Sequence, residues 1–220
     1  MLHDPVTDEN WHELFDRFGD YQFAMLDTKT DRMAAMGNSL PFHWDKSIEE
    51  LPEGGWDWVF LKAIKDHKNG IEPNTQSAIQ VAIHPDYQGK GLSSKMVQAM
   101  RGIGISKGFK NLVAPVRPSQ KSQYPLISID DYITWTNDDG LPFDAWLRVH
   151  ARLGAKIIKP CHEAMKISGT ISIWEEWTGL KFPQSGQYVI PGALSPMDMD
   201  IESDKGIYIE PNVWMQHSLA

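Results

Sequence analysis

The stretch TQSAIQVAIHPDYQGKGLSSKMVQAMRGIGISKG, residues 75–108, carries the clearest local structure in the chain. Residues 75–83 alternate and then become fully apolar, which predicts a strand. Gly89 and Gly91 follow in a loop, and a helix is predicted over 93–107. A glycine loop between a buried strand and a helix start suits a phosphate group, because the backbone approaches the anion closely and free N–H groups point at it.

The distribution of charge also predicts an anion site in this region. The 220-residue chain has a formal net charge of −8, yet it has no acidic residue between Asp86 and Asp130. The basic residues in that interval are Lys90, Lys95, Arg101, Lys107, Lys110, Arg117 and Lys121. Such an interval in an acidic protein indicates a local binding site for an anion. The overall negative charge argues against nucleic acid as a partner.

Two other phosphate-binding patterns do not fit the loop. A P-loop requires G-x-x-x-x-G-K-[ST], which the sequence Gly89-Lys90-Gly91 does not provide. Gly102 and Gly104 lie within the predicted helix and not directly after a strand, so they do not form a dinucleotide fingerprint. Coenzyme A, with its pyrophosphate and 3′-phosphate, matches the demand for an anion, and these exclusions narrow the choice toward it.

Residues 81–93 resemble the acyl-CoA-binding motif of the GNAT superfamily, in which a strand leads to Q/R-x-x-G-x-G/A and a helix. The six motif positions are Gln88, Gly89, Lys90, Gly91, Leu92 and Ser93, with Ser where the family has Gly or Ala. The resemblance implies that backbone N–H groups from 89 to Ser94 hold the pyrophosphate. It also implies that Val81, Ala82 and Ile83 pair with the pantetheine amides, that acetyl-CoA or another acyl-CoA is the cofactor, and that no metal ion takes part.

The rest of the chain predicts elements that agree with this resemblance. The predicted helices cover 7–18, 56–67 and 143–153, and the predicted strands cover 21–27, 33–38, 112–116, 155–158 and 163–167, the last two paired with each other. The expected fold class is α/β, or α+β in stricter terms. Its central sheet is mixed and mostly antiparallel, splayed between two parallel strands and flanked by helices. We expect one domain over 1–220, with a core at about 20–170 and an extended C-terminal tail, 171–220, that wraps it.

His150 is the predicted catalytic residue. In the resembling family, a Tyr three residues before a Leu-Gly pair at the end of the late helix often protonates the departing thiolate. Here His150 occupies that position before Leu153-Gly154, and Phe143 replaces an Asn seven residues earlier. Imidazole titrates near neutral pH, so His150 could donate a proton to the thiolate or accept one from the substrate. Asp144 is better explained as a helix cap than as a general base.

Four residues are candidates for binding the acceptor. Arg117 follows a predicted strand and could hold a carboxylate with its forked guanidinium group. Tyr124 and Trp135 lie in the unusually long connection 118–142, and Trp146 follows it. These three aromatic residues could form the wall of an acceptor pocket, although packing of the connection against the core explains them equally well.

The predicted function is transfer of an acyl group, most simply acetyl, from CoA to the amine of a small molecule by direct attack on the thioester. Two alternatives stay open: an S-acyltransferase or decarboxylase that acts on a carrier-protein thiol, and a non-catalytic acyl-CoA-binding module. With Cys161 as its single cysteine, the chain has no internal disulfide. The absence of a long apolar run or a signal-peptide pattern predicts a cytoplasmic protein without membrane contact. The tail is long enough to wrap a neighbour, so a homodimer is possible.

Overall fold

The computed structural model describes residues 3–219. The helices in this range are α1 (Pro5–Asn10), α2 (Glu13–Asp16), α3 (Gly55–Lys68), α4 (Leu92–Ser106), α5 (Ile129–Tyr132), α6 (Ala145–Arg152) and α7 (Ile171–Thr178). The strands are β1 (Gln22–Asp27), β2 (Arg32–Phe42), β3 (Thr75–Ile83), β4 (Asn111–Val116), β5 (Lys156–Gly169), β6 (Gly186–Tyr188), β7 (Met197–Asp200) and β8 (Lys205–Ser218).

The strands form one mixed sheet in the order β1-β2-β3-β4-β8-β7-β6, and β5 pairs with the other edge of β8. Only β3 and β4 run parallel among these pairings, and the others are antiparallel. This mostly antiparallel sheet with flanking helices confirms the predicted fold class. The predicted strand at 75–83 coincides with β3, and the predicted helix at 93–107 lies one residue from α4 at both ends.

The two parallel strands, β3 and β4, pair only at their N-terminal ends. β3 and β4 pair at Thr75–Asn111, Gln76–Leu112 and Ser77–Val113, and no further. Beyond Ser77 the two strands diverge, while β3 continues to pair with β2 along its other edge. The divergence opens a V-shaped cleft in the middle of the sheet. One edge of β3, from residue 78 to 83, therefore faces the cleft without a strand beside it.

The C-terminal part of the sheet differs from the prediction. Segments 155–158 and 163–167 do not pair with each other but belong to one strand, β5, with a register shift between Cys161 and Met165. The sequence predicted two strands with a break between residues 158 and 163, where the register shift lies. A bulge within one strand interrupts the alternation of apolar residues in the same way as a turn between two strands does. The partner of β5 is β8, which lies between β4 and β5. Segment 171–220 therefore supplies a central strand and does not simply wrap the core.

The two faces of the sheet are covered by different helices. Trp214 of β8 packs in the same core cluster as Trp56 and Phe60 of α3. Its neighbours Val213 and Met215 belong to the cluster beneath α6. Even-numbered residues of β8 thus face α3, and odd-numbered residues face α6, as expected for a strand.

The predicted N-terminal helix over 7–18 is divided into α1 and α2. The cap of α1 is Asp4, whose Oδ2 accepts hydrogen bonds from Thr7 N at 2.8 Å and Thr7 Oγ1 at 2.7 Å. The Asp4 carboxylate lies close enough to Asp57, in the first turn of α3, to act on the pKa of that residue.

Candidate active site

The cleft between β3 and β4 is a cavity of about 120 Å³ that passes through the sheet. Its α3-facing wall includes Trp56, Met165 and Asn212. On the α6-facing side, Trp146 and His150 line the cavity. A ligand in this cleft therefore reaches both faces of the sheet.

The glycine loop lies between the end of β3 and the start of α4. Gly89 has φ 72° and Gly91 has φ 71°, in the left-handed region that favours glycine. Apart from the adjacent residues in the chain, no heavy atom of residues 3–219 lies within 4 Å of the position that a Cβ would take at either glycine. Gly91 is the N-cap of α4 and no side chain caps the helix. The loop thus offers open space in front of a helix start, which fits a pyrophosphate group.

The strand that leads to this loop has a free edge. Val81 pairs with Gly37, Ala82 with Met36 and Ile83 with Ala35, all on β2. Because β4 has already diverged, the opposite edge of these residues is open, and Val81 lines the cleft. An extended chain that carries amide groups, as pantetheine does, fits along such an edge.

Four basic residues of the acid-free interval are engaged away from the loop. Arg101 donates to the Leu153 carbonyl, Lys107 to Asp20, Arg117 to Glu210, and Lys121 to the Leu194 carbonyl. Lys90 and Lys95 are exposed at or near the loop. Lys90 Nζ donates to the Asp86 carbonyl at 2.8 Å and lies 4.9 Å from the centre of the Tyr87 ring. The local positive charge at the loop is therefore smaller than the sequence suggested.

His150 lies on the wall of the cleft. It is 2 % exposed, and its Nδ1 is 2.9 Å from Nε2 of His217 on β8. Burial, and then the neighbouring His217, hold the pKa of His150 well below its usual range. The imidazole is therefore uncharged at neutral pH. Trp146 packs edge-on against it, with ring centres 4.6 Å apart.

The structure brings only two of the four predicted acceptor residues to the cleft, namely Arg117 and Trp146. Tyr124 and Trp135 contact each other edge-on at 5.1 Å and pack with Phe143 in the cluster beneath α6. Their position matches the packing role that the sequence left open.

Three further residues at or beside the cleft were not singled out from the sequence. His217 and Glu210 lie on β8, in the segment expected to wrap the core, and Asp57 lies in the first turn of α3. Glu210 is 2 % exposed, and its Oε1 accepts from Arg117 Nε at 2.8 Å. Burial, and then the nearby carboxylates of Asp4 and Glu210, raise the pKa of Asp57 to about 7. The only sequence signal for these residues is a polar side chain within an otherwise apolar segment.

Comparison with known proteins identifies the family. The model of the "Acetyltransferase (GNAT) family" matches residues 7–127. The chain is also 30% identical over 241 residues to the arginine N-acetyltransferase avaD of Aspergillus versicolor, over 98% of this chain and 82% of that protein. This chain belongs to the GNAT acetyltransferase family. Like the family, it is an acyl-CoA-dependent acyltransferase that transfers the acyl group to an amine.

Solved structures of GNAT-like proteins share this fold. The loading GNATL domain of CurA from Lyngbya majuscula has a TM-score of 0.61 and 18% identity, over 96% of this chain and 82% of that chain. The GphF GNAT-like decarboxylase in complex with isobutyryl-CoA has a TM-score of 0.56 and 12% identity, over 96% and 85%. At these identities the likeness concerns the fold alone.

Two further observations concern the described residues 3–219. None of their helices has the length and apolar character that a membrane span requires. Within the same range, no three side chains of His, Cys, Asp or Glu lie close enough together to bind a metal ion.

Proposed function

We propose that this GNAT enzyme acetylates a nitrogen atom of arginine, with acetyl-CoA as the donor. The acceptor is suggested by the arginine N-acetyltransferase of Aspergillus versicolor, which aligns over almost the whole chain. The observation that carries the proposal is His150, an uncharged imidazole on the wall of a cleft that opens beside the free edge of β3. A neutral imidazole has a lone pair that can accept the proton of an attacking nitrogen, and the lowered pKa makes His150 a weak base that readily gives that proton up again.

Gly89 to Ser94 and the strand residues Val81 to Ile83 would hold the cofactor. In this arrangement, the first N–H groups of α4 bind the pyrophosphate, and the open edge of β3 pairs with the pantetheine amides. Bound acetyl-CoA supplies the thioester carbonyl that the nitrogen attacks and the thiolate that leaves. The positive φ angle and open space at Gly91 support this placement.

The histidine pair would fix the proton that His150 carries. Burial, and then Arg101, lower the pKa of His217 to about 4, so both rings of the pair are uncharged at neutral pH. Between two neutral rings one nitrogen donates, and in the proposed arrangement Nδ1–H of His150 donates to Nε2 of His217. The proton of His217 is then on its Nδ1, which has no hydrogen-bond partner within residues 3–219. His150 Nε2 then carries a lone pair.

That lone pair lets His150 move one proton through the reaction. Nε2 accepts the proton of the acceptor nitrogen as the nitrogen–carbon bond forms, and returns it to sulfur as the carbon–sulfur bond breaks. The charge of His150 is thus restored at the end of each turnover. His150 acts as a base first and as an acid second.

The experiment is a CoA-release assay on the purified protein with acetyl-CoA and arginine. We expect release that depends on arginine and yields an acetylated product by mass spectrometry. Absence of arginine-dependent release at millimolar arginine would refute the proposed acceptor. Release of CO2 from malonyl-CoA, without any amine, would instead support the decarboxylase alternative.

A further inference from the structure

A second cavity, of about 450 Å³, lies beside the cleft. The aromatic side chains of Trp174, Trp177 and Tyr208 belong to its wall. Arg117 lines both this cavity and the cleft, so the two spaces meet at its side chain. The volume falls within the range of about 300–1,000 Å³ that is typical of small-molecule sites. An acceptor that extends from the cleft into the second cavity therefore passes Arg117.

Arg117 and Glu210 form an ion pair in the wall, but a ligand can reach only one of the two partners. The Glu210 side chain is 2 % exposed, whereas the Arg117 side chain is 33 % exposed. Both carboxylate oxygens of Glu210 are engaged, because Oε1 accepts from Arg117 Nε at 2.8 Å and Oε2 accepts from the Tyr208 hydroxyl at 3.0 Å. A ligand in either cavity therefore meets the guanidinium group and not an open carboxylate oxygen.

The guanidinium group of Arg117 keeps hydrogen-bond donors free for a ligand. Of the five N–H donors of an arginine side chain, one on Nε bonds to Glu210 and one on Nη2 bonds to the Gly192 carbonyl, each at 2.8 Å. Nη1 makes no hydrogen bond within residues 3–219 and is not shut off from solvent. The two existing bonds fix the orientation of the group in advance, which lowers the entropy cost of binding a ligand.

A fixed guanidinium group with free N–H donors suits a carboxylate. The planar fork matches the two oxygens of a carboxylate, so that geometry as well as charge selects this group. Arginine, the proposed acceptor, has one anionic group, its α-carboxylate. The guanidinium group of the acceptor has the same charge as Arg117 and is repelled by it. The carboxylate end of the acceptor is therefore the end that fits beside Arg117.

We propose that Arg117 binds the α-carboxylate of the acceptor through its free N–H donors, where the cleft and the second cavity meet. This inference deepens the proposed function and rests on it for arginine as the acceptor. Arg117 determines specificity in this arrangement, because an amine without a carboxylate leaves these donors unused. Glu210 and the Gly192 carbonyl are the groups that position it.

The test is calorimetric titration of the CoA-bound protein with arginine and with agmatine, which keeps the guanidinium group and lacks the carboxylate. In the wild type, we expect the Kd for agmatine to exceed that for arginine about 10- to 100-fold, as for loss of hydrogen bonds to a charged group. Arg117→Lys keeps a positive charge beside Glu210 but lacks the fork, so the Kd for arginine should rise about 10-fold and the Kd for agmatine should stay the same. Arg152→Lys, at an exposed arginine, is the matched control and should bind both compounds as the wild type does.

Equal Kd values for arginine and agmatine in the wild type would overturn the inference, and this comparison needs no variant. A preference for arginine that survives undiminished in Arg117→Lys would refute the role of Arg117. Absence of arginine binding to the wild type at millimolar concentration would overturn the inference as well.

A CoA-release assay with mass spectrometry of the product separates this inference from the proposed function. Carboxylate-dependent binding of arginine without an acetylated product would refute arginine as the acceptor and leave the carboxylate site at Arg117 intact. Acetylation of arginine and agmatine with the same KM would leave the acetylation of arginine intact and overturn the carboxylate site.

Discussion

Replacement of Asp57 by Asn should change how the stability of the protein depends on pH. The Asp57 carboxyl is partly buried, and it lies near two other carboxylates, Asp4 and Glu210. Burial, and then these neighbours, raise its pKa in the folded protein from 3.8 to about 7. Between these two values the folded state holds a proton that the unfolded state has released. Stability is therefore lost as the pH rises through this interval.

The magnitude follows from the difference between the two pKa values. About three pH units at about 1.4 kcal/mol each give an upper bound of about 4 kcal/mol. Because the Asp57 side chain is partly exposed, solvent screening reduces this figure, and we expect about 1–2 kcal/mol. The full penalty applies above pH 7 and disappears below pH 4. The amide of Asn carries no charge, so the variant does not incur this penalty.

Urea unfolding of both proteins from pH 4 to pH 8 measures this difference. The free energies of unfolding should be similar at pH 4, and the variant should be more stable by about 1–2 kcal/mol at pH 8. The other titrating groups are common to both proteins and cancel in the comparison. Parallel curves across the whole range would show that Asp57 does not carry the raised pKa.

Three shorter predictions concern the other parts of the site. Gly91→Val should abolish CoA binding in calorimetry, because a side chain at φ 71° is strained and fills the space before α4. The control Gly102→Ala, within α4 and without a close neighbour, should bind CoA normally. Retained binding by Gly91→Val would contradict the loop assignment. His150→Gln should lower kcat by about 10²–10⁴ with little change in the Kd for CoA, and an unchanged kcat would remove His150 from the mechanism. Cys161 is buried with its thiol pKa raised by that burial, so iodoacetamide should label it in urea and not in the native protein, as mass spectrometry can check.

The region from β3 to α4 was predictable because its signals are local. The alternation over 75–83, the glycines of the loop and the helical spacing beyond Leu92 all lie within a few residues of one another. The resemblance of this motif to the GNAT family was confirmed by the family comparison. His150 could be proposed only through that resemblance, and its catalytic role stays a prediction.

β8 could not be predicted in the same way, since its position depends on partners far away in the chain. It pairs with β4 and β5, and the pairing of Lys156 with Gln216 spans most of the C-terminal third of the sequence. The polar run Glu210-Pro211-Asn212 interrupts its apolar pattern, so the segment resembles a loop. In the structure, Asn212 lines the cleft and Glu210 lines a second cavity beside it. The polar residues that interrupt the apolar pattern of the strand are therefore the ones that line these cavities.

The ion pair of Arg117 and Glu210 contributes orientation to the site more than stability to the fold. A buried pair seldom stabilises a protein more than apolar residues of similar volume, because both ions must leave water. Its value here lies in orientation: Arg117 donates through Nε to Glu210 and through Nη2 to the Gly192 carbonyl, each at 2.8 Å. Two bonds to fixed acceptors hold the guanidinium plane between the cleft and the cavity beside it, both of which Arg117 lines. Glu210 therefore positions Arg117, and we expect a change at Glu210 to alter the proposed acceptor site while it leaves the glycine loop untouched.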